Sequence, residues 1–305
     1  MQFRTELRAD DLPEGICRLS HRGGPIVLLG SCFADNIAER LRADLFNVVS
    51  NPFGTLYNPV SILRHLLPRP YIPGDIVRAP DGLYYSWDHS SAFSAATRQE
   101  LLERINREDR DFRETLKQAQ ALFVTYGTAM VWTVPSEAGR TVANCHKMHP
   151  LMFRTQMLSV DETADIVRRT IDAVAPVPVI FTVSPVRYIS PSLHDSQLAK
   201  ATLLLALDKA GANYFPAYEA LTDDLRDYRF YGDDLVHPSK MAVDYIYELF
   251  GKTFFDPADA ECLNLCRRYV RLAAHRPIVE ALAGEHAARV SQLKQTLAHK
   301  YGIKP

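Results

Sequence analysis

The sequence predicts an α/β protein: a mainly parallel sheet between helices, in three layers. Three observations carry this. Short apolar runs alternate with amphipathic segments. Each run is rich in β-branched or aromatic residues and bounded by Gly or Pro. And 305 residues, 47% hydrophobic and 23% charged, are enough to bury a large core.

The first run, PIVLLG (25–30), reads as a buried strand and leads into a helical pattern over 33–43. LFNVVS (45–50), ALFVTYG (121–127), VPVIFTVSP (177–185) and NYFPAYEAL (213–221) read as further strands. Between them, 96–120 is a long charged helix. DETADIVRRTIDAVA (161–175) is a helix with Ser159 or Asp161 as its cap, and SQLAKATLLLALDKAG (196–211) runs from a Ser cap to a Gly stop. Such alternation favours parallel βαβ units. Two insertions interrupt it: about 70–95, without helical period, and 129–145, a β-hairpin turning at Glu137 to Arg140. Both are expected to build a substrate-facing rim. Residues 1–255 thus form the main α/β domain and 256–305 a helical extension broken at Pro277. Val279, Ala281, Leu282 and Val290 recur there at roughly helical spacing, which permits a homodimer contact.

A net charge of −1 provides no field to attract nucleic acid. No run of 18 apolar residues exists, so no membrane span is expected. The N-terminal MQFRTELRADDLPEG scatters charge through its length and does not read as a secretory signal. Five cysteines, Cys17, Cys32, Cys145, Cys262 and Cys266, match no disulfide framework, so reduced thiols and a cytoplasmic location are expected. Cys262 and Cys266, four apart, are half a metal site or one helix face. Without a second pair, the helix face is the expectation. Cys145, His146 and His149 lack a further ligand, and no metal is expected.

Ser31 and Cys32 stand where the first strand hands over to its helix. In parallel sheets ligands bind at the carboxyl ends of strands, and unpaired amides at a helix start favour anions. Such a corner lowers a thiol's pKa and offers donors to an oxyanion. The plainer alternative is that Ser31 caps the helix and Cys32 packs. Near the other end of the main domain, DLVHPS holds Asp234 three residues before His237, spacing at which a carboxylate orients an imidazole. Asp233 lacks that spacing. Here too a capped surface loop is the alternative.

Together these features resemble the SGNH/GDSL hydrolase superfamily, a flavodoxin-like α/β/α fold. GSCFA (30–34), NPFGTLYNP (51–59), YGTAMVW (126–132), ANCHK (143–147), SPVR (184–187) and LRDYRFYGDDLVHPS (225–239) are similar to blocks of the GSCFA family within it, over about residues 20–255. The resemblance implies catalysis by Cys32, His237 and Asp234, with Ser31 as the alternative nucleophile. Cysteine departs from the superfamily's serine, which suits acyl transfer as well as hydrolysis. It also implies Gly54 as an oxyanion donor. Ala129 stands where the superfamily has Asn, so Asn144, Asn58 or the backbone around Thr128 would supply the missing donor. His89, His146 and Lys147 on the insertions could point into the cleft, and Arg187 could hold a carboxylate or phosphate. The expected activity is ester hydrolysis through a covalent acyl-enzyme on a small-molecule or glycan ester. The alternatives are acyl transfer to a sugar or polysaccharide hydroxyl, or ligand binding without catalysis. Hydrolysis needs no cofactor, whereas transfer would call on a donor such as acyl-coenzyme A.

Overall fold

The computed structural model describes residues 5–189, 192–276 and 283–305. In chain order, β1 (Ile26–Gly30), α1 (Cys32–Ala43), β2 (Val48–Ser50) and α2 (Pro59–Leu66) come first. The first insertion folds as β3 (Ile76–Arg78), β4 (Tyr84–Ser86) and β5 (Ser94–Ala95), and α3 (Arg98–Lys117) leads to β6 (Ala121–Tyr126). The second gives β7 (Met130–Val134), β8 (Arg140–Val142) and β9 (Arg154–Met157). Then follow α4 (Val160–Val174), β10 (Val179–Val183), α5 (Leu193–Ala210), α6 (Ala217–Glu219), α7 (Lys240–Phe254), α8 (Ala260–Ala274) and α9 (Ala283–Tyr301).

The central sheet is parallel, in the order β10-β6-β1-β2. Alternate residues serve opposite layers, as the period of a strand requires. Ile26 and Leu28 of β1 pack with Phe33, Ile37 and Leu41 of α1 and Ile246 and Phe250 of α7. Val27 and Leu29 pack on the other face with Ile62 of α2, Phe112 of α3, Val167 of α4 and Leu203 of α5. Both faces are covered, so β1, β6 and β10 are buried throughout, while β2 at the edge is half-buried. The fold is the expected three-layer α/β/α type. The chain leaves β1 for β2 on one side and later returns to place β6 on the other. The crevice between the carboxyl ends of β1 and β6 is therefore the switch point at which such sheets bind ligands.

Two expectations need correction. Residues 213–221 form no strand. Tyr214 makes one bridge to Phe181, then Pro216, which has no amide to donate, turns the chain into α6. The helix expected from Ser196 starts a turn earlier, because Ser192 caps it by accepting from the Asp195 amide, and Ser196 lies inside. The first insertion, expected to lack helical period, folds as a three-stranded antiparallel sheet. The hairpin of the second is present, with Ala138 and Gly139 at positive φ in its turn, and β9 adds a third strand.

Polar contacts bind the C-terminal helices to the core. Arg267 donates to both carboxylate oxygens of Asp44, at 2.9 and 2.6 Å, and Tyr247 Oη donates to the same carboxylate at 2.9 Å. His21 bonds Asp259 through Nδ1 and the Asp44 carbonyl through Nε2. Pro277, Val279, Ala281 and Leu282 lie outside the described residues, and Val290 is half-buried. Among the described residues no helix is long and apolar enough to cross a membrane.

Gly30 has φ +138°, and a Cβ there would meet the Thr125 carbonyl oxygen at 2.1 Å. Gly30→Ala is therefore expected to lose more than the roughly 1–3 kcal/mol of backbone strain alone. Gly74→Ala, at an exposed site with nothing within 4 Å, should stay within about 0.5 kcal/mol. Urea denaturation of the two variants checks the contrast.

Candidate active site

Gly30 ends β1 with both backbone groups engaged: its amide donates to Asn51 Oδ1 at 2.8 Å and its carbonyl accepts from Leu56 at 2.9 Å. Asn51, itself at φ +41°, donates through Nδ2 to Asp35 at 2.8 Å. The corner thus fixes where α1 begins. Ser31 caps that helix, its Oγ accepting from the Phe33 amide at 3.3 Å. The same hydroxyl donates to Ser184 Oγ at 3.0 Å and is buried. Its capping role and its burial both disfavour Ser31 as a nucleophile.

Cys32 is the first residue of α1 and is half-buried. Burial, then the Asp35 carboxylate, push its thiol pKa up, while the amides of Cys32 and Phe33 and the Lys200 charge pull it down. The net shift is upward. The corner was expected to lower it. Removing the sulfur from water outweighs the helix start.

Asp234 and His237 form the couple that their spacing suggested. Asp234 Oδ1 accepts from the amides of Val236 and His237, both at 2.9 Å, and Oδ2 pairs with His237 Nδ1 at 2.6 Å. The His237 amide, then its ring, then the Val236 amide hold the Asp234 carboxyl down to about 2. The imidazole is thereby oriented with Nε2 outermost. Its side chain is 50% exposed, and among the described residues nothing bonds Nε2. The Arg187 amide donates to the Val236 carbonyl at 2.9 Å, tying this loop to the segment that leaves β10. That segment starts at Ser184, the partner of Ser31. The two loops therefore border the same end of the sheet.

The expected oxyanion donors fare unevenly. The Gly54 amide is spent on the Asn51 carbonyl at 2.8 Å. The glycine is needed because a Cβ there would meet Ser90 Oγ at 1.8 Å. The Gly127 and Thr128 amides both donate to the Tyr57 carbonyl, and Thr128 Oγ1 accepts from Met130. Gly54 and Thr128 thus serve the turns, a correction to both expectations. Asn58 caps α2 through Oδ1, and Asn144 Oδ1 accepts from Ser91 and the His146 amide. Their Nδ2 groups make no hydrogen bond among the described residues. The Cys32 amide likewise donates to no oxygen among them.

His89 does not face a cleft. It is fully buried, bonded to Ser86 Oγ at 3.0 Å and packed among Phe53, His65, Tyr71 and Phe93. Burial pushes its pKa well down, so it is neutral. His146 is also buried, stacked on Tyr85 and bonded to the Ser86 carbonyl. Arg187 lies over the rings of Tyr228 and Tyr231, at 5.3 and 5.5 Å, half-buried at the rim. Cys262 and Cys266 do share a helix face. The fold adds His21 within 4.8 Å of them, but both its ring nitrogens are occupied by Asp259 and Asp44.

Sequence reasoning missed Asn51, Ser184 and Lys200. Asn51 and Ser184 open the blocks NPFGTLYNP and SPVR without being singled out in them, and Lys200 falls on the buried stripe of α5, with Ser196, Ala199, Leu203 and Leu207.

A parallel sheet between two helical layers, with this corner at its switch point, defines a doubly wound α/β protein with a ligand crevice. The model of the GSCFA family matches residues 25–250, and the chain belongs to that family. No curated protein matches it. Among solved structures it is similar to a lipase/acylhydrolase from Enterococcus faecalis, at 10% identity and a TM-score of 0.37, over 75% of this chain and 94% of that one.

The raised thiol pKa predicts that iodoacetamide alkylates Cys32 slowly at pH 7, with a rate still climbing at pH 9. The thiol is protonated below its pKa, and only the thiolate reacts. Peptide mass spectrometry checks this. A rate already flat between pH 7 and 9 contradicts it.

Proposed function

We propose that the protein is an ester hydrolase acting through a covalent acyl-enzyme on Cys32. The observation that carries this reading is the imidazole of His237, oriented by Asp234 through Nδ1 and with Nε2 unbonded among the described residues. It sits on a loop hydrogen-bonded to the segment that starts at Ser184, the partner of Ser31. His237 Nε2 takes the thiol proton, which the upward shift of Cys32 makes necessary at neutral pH. The sulfur attacks the ester carbonyl carbon, and the C=O pair moves onto oxygen. The Cys32 amide and an asparagine Nδ2, from Asn58 or Asn144, stabilise that oxyanion. Collapse breaks the C–O bond, and His237 returns its proton to the departing alcohol. Water, deprotonated by His237, then attacks the thioester, releases the acid and restores the thiol. Asp234 holds the ring and stabilises its protonated form throughout.

A panel of p-nitrophenyl acyl esters tests the reading. The expected result is an acyl mass increment on the Cys32 peptide, absent in Cys32→Ala. His237→Ala should slow p-nitrophenol release by about 10²–10⁴-fold. An added sugar hydroxyl that speeds loss of the adduct identifies transfer in place of hydrolysis. Release at the wild-type rate in both variants overturns the proposal.

A further inference from the structure

Lys200 is a charge in a place that normally excludes one. It is 3% exposed, on the face of α5 that packs under the sheet. Its Nζ donates to two carbonyls, Gly127 and Ser184, each at 2.8 Å. These residues directly follow β6 and β10, the strands at the switch-point side of the sheet. A third proton remains, and the Tyr218 ring lies 5.6 Å away. Ser184 is also the residue whose hydroxyl accepts from Ser31, the neighbour of Cys32. Ser184 is thus held by Lys200 at its carbonyl and by Ser31 at its hydroxyl, and Ser31 immediately precedes Cys32 in the chain.

Holding two carbonyls does not require a lysine. A buried glutamine or a water could bond them without the cost of burying a charge, several kcal/mol per ion. We propose that Lys200 is a positioning and electrostatic residue for Cys32: it fixes the strand ends around the nucleophile and stabilises the thiolate by its charge. This rests on Cys32 being the reacting group. The charged side chains that reach the sulfur are Asp35, on its own helix, and Lys200, from the layer behind the sheet. They act in opposite senses. Asp35 is partly satisfied by Asn51 Nδ2, and Lys200 is the charged side chain of the two that favours the thiolate. Burial brings the Lys200 ammonium down to about 7, and the Cys32 charge works against that fall. Each group therefore favours the charged form of the other.

The test is the pH profile of Cys32 alkylation by iodoacetamide in Lys200→Gln, which keeps a donor and removes the charge. The expected result is a profile displaced to higher pH, with alkylation at pH 8 at least threefold slower than in the wild type. A folded Lys200→Gln with a superimposable profile overturns the inference, since a purely structural clamp would not move it. If Lys200→Gln does not fold, the reciprocal measurement decides. The ¹³Cε shift of Lys200 is followed against pH in the wild type and in Cys32→Asp, whose carboxylate is charged where Lys200 titrates. A higher midpoint in the variant supports the pairing, and identical titrations overturn it. Neither readout uses ester turnover. Loss of the acyl adduct would therefore end the hydrolase proposal while this measurement still stood or fell by itself.

Discussion

The site is suspended from one close approach of backbone to backbone, where Gly30 passes the Thr125 carbonyl with no room for a side chain. Three hydrogen bonds depend on it. The Ser31 amide reaches Thr125 on β6, the Gly30 amide reaches Asn51, and the Gly30 carbonyl takes Leu56. Together they set the direction of α1 and hence the place of its first residue. A larger residue would push β1 and β6 apart at their carboxyl ends, opening the crevice beside Cys32.

Two opposing demands meet at Cys32. A buried sulfur is shielded from competing water, but burial also resists its ionisation. The fold answers with several small contributions: the amides of Cys32 and Phe33 and the lysine behind the sheet. Asp35 works against them and is itself held by Asn51. A resting thiol of this kind is protected from oxidation, because thiolate character governs that chemistry. It gains its reactivity only when a proton acceptor is in place.

The parts of this design that were legible in the sequence are those encoded locally. Ile26 to Gly30 reads as a strand because five buried residues in a row leave no other period. Ser31 with Cys32, and Asp234 with His237, are each short-range patterns whose geometry follows from one helix start and one tight turn. What stayed hidden depends on residues far apart. Gly54 and Thr128 resemble donors until the turns that use their amides are known. His89 resembles a rim residue until Phe53, His65 and Tyr71 close around it. Tyr214 begins a strand that Pro216 cuts short. Lys200 was visible only as a charged residue on an apolar stripe, which says that it is buried but not what it faces.

The attachment of the last two helices has a consequence for how the molecule opens. Their own apolar nucleus is small: Cys262, Cys266 and Leu297 are its fully buried members, with Leu45 from the main body against it. The Asp44–Arg267 and His21–Asp259 contacts do the rest. Little hydrocarbon is uncovered when this segment peels away, so its amides exchange with solvent through a subglobal opening that leaves the sheet intact. The corner at Gly30 and Cys32 lies with the sheet, outside the segment that opens in this way.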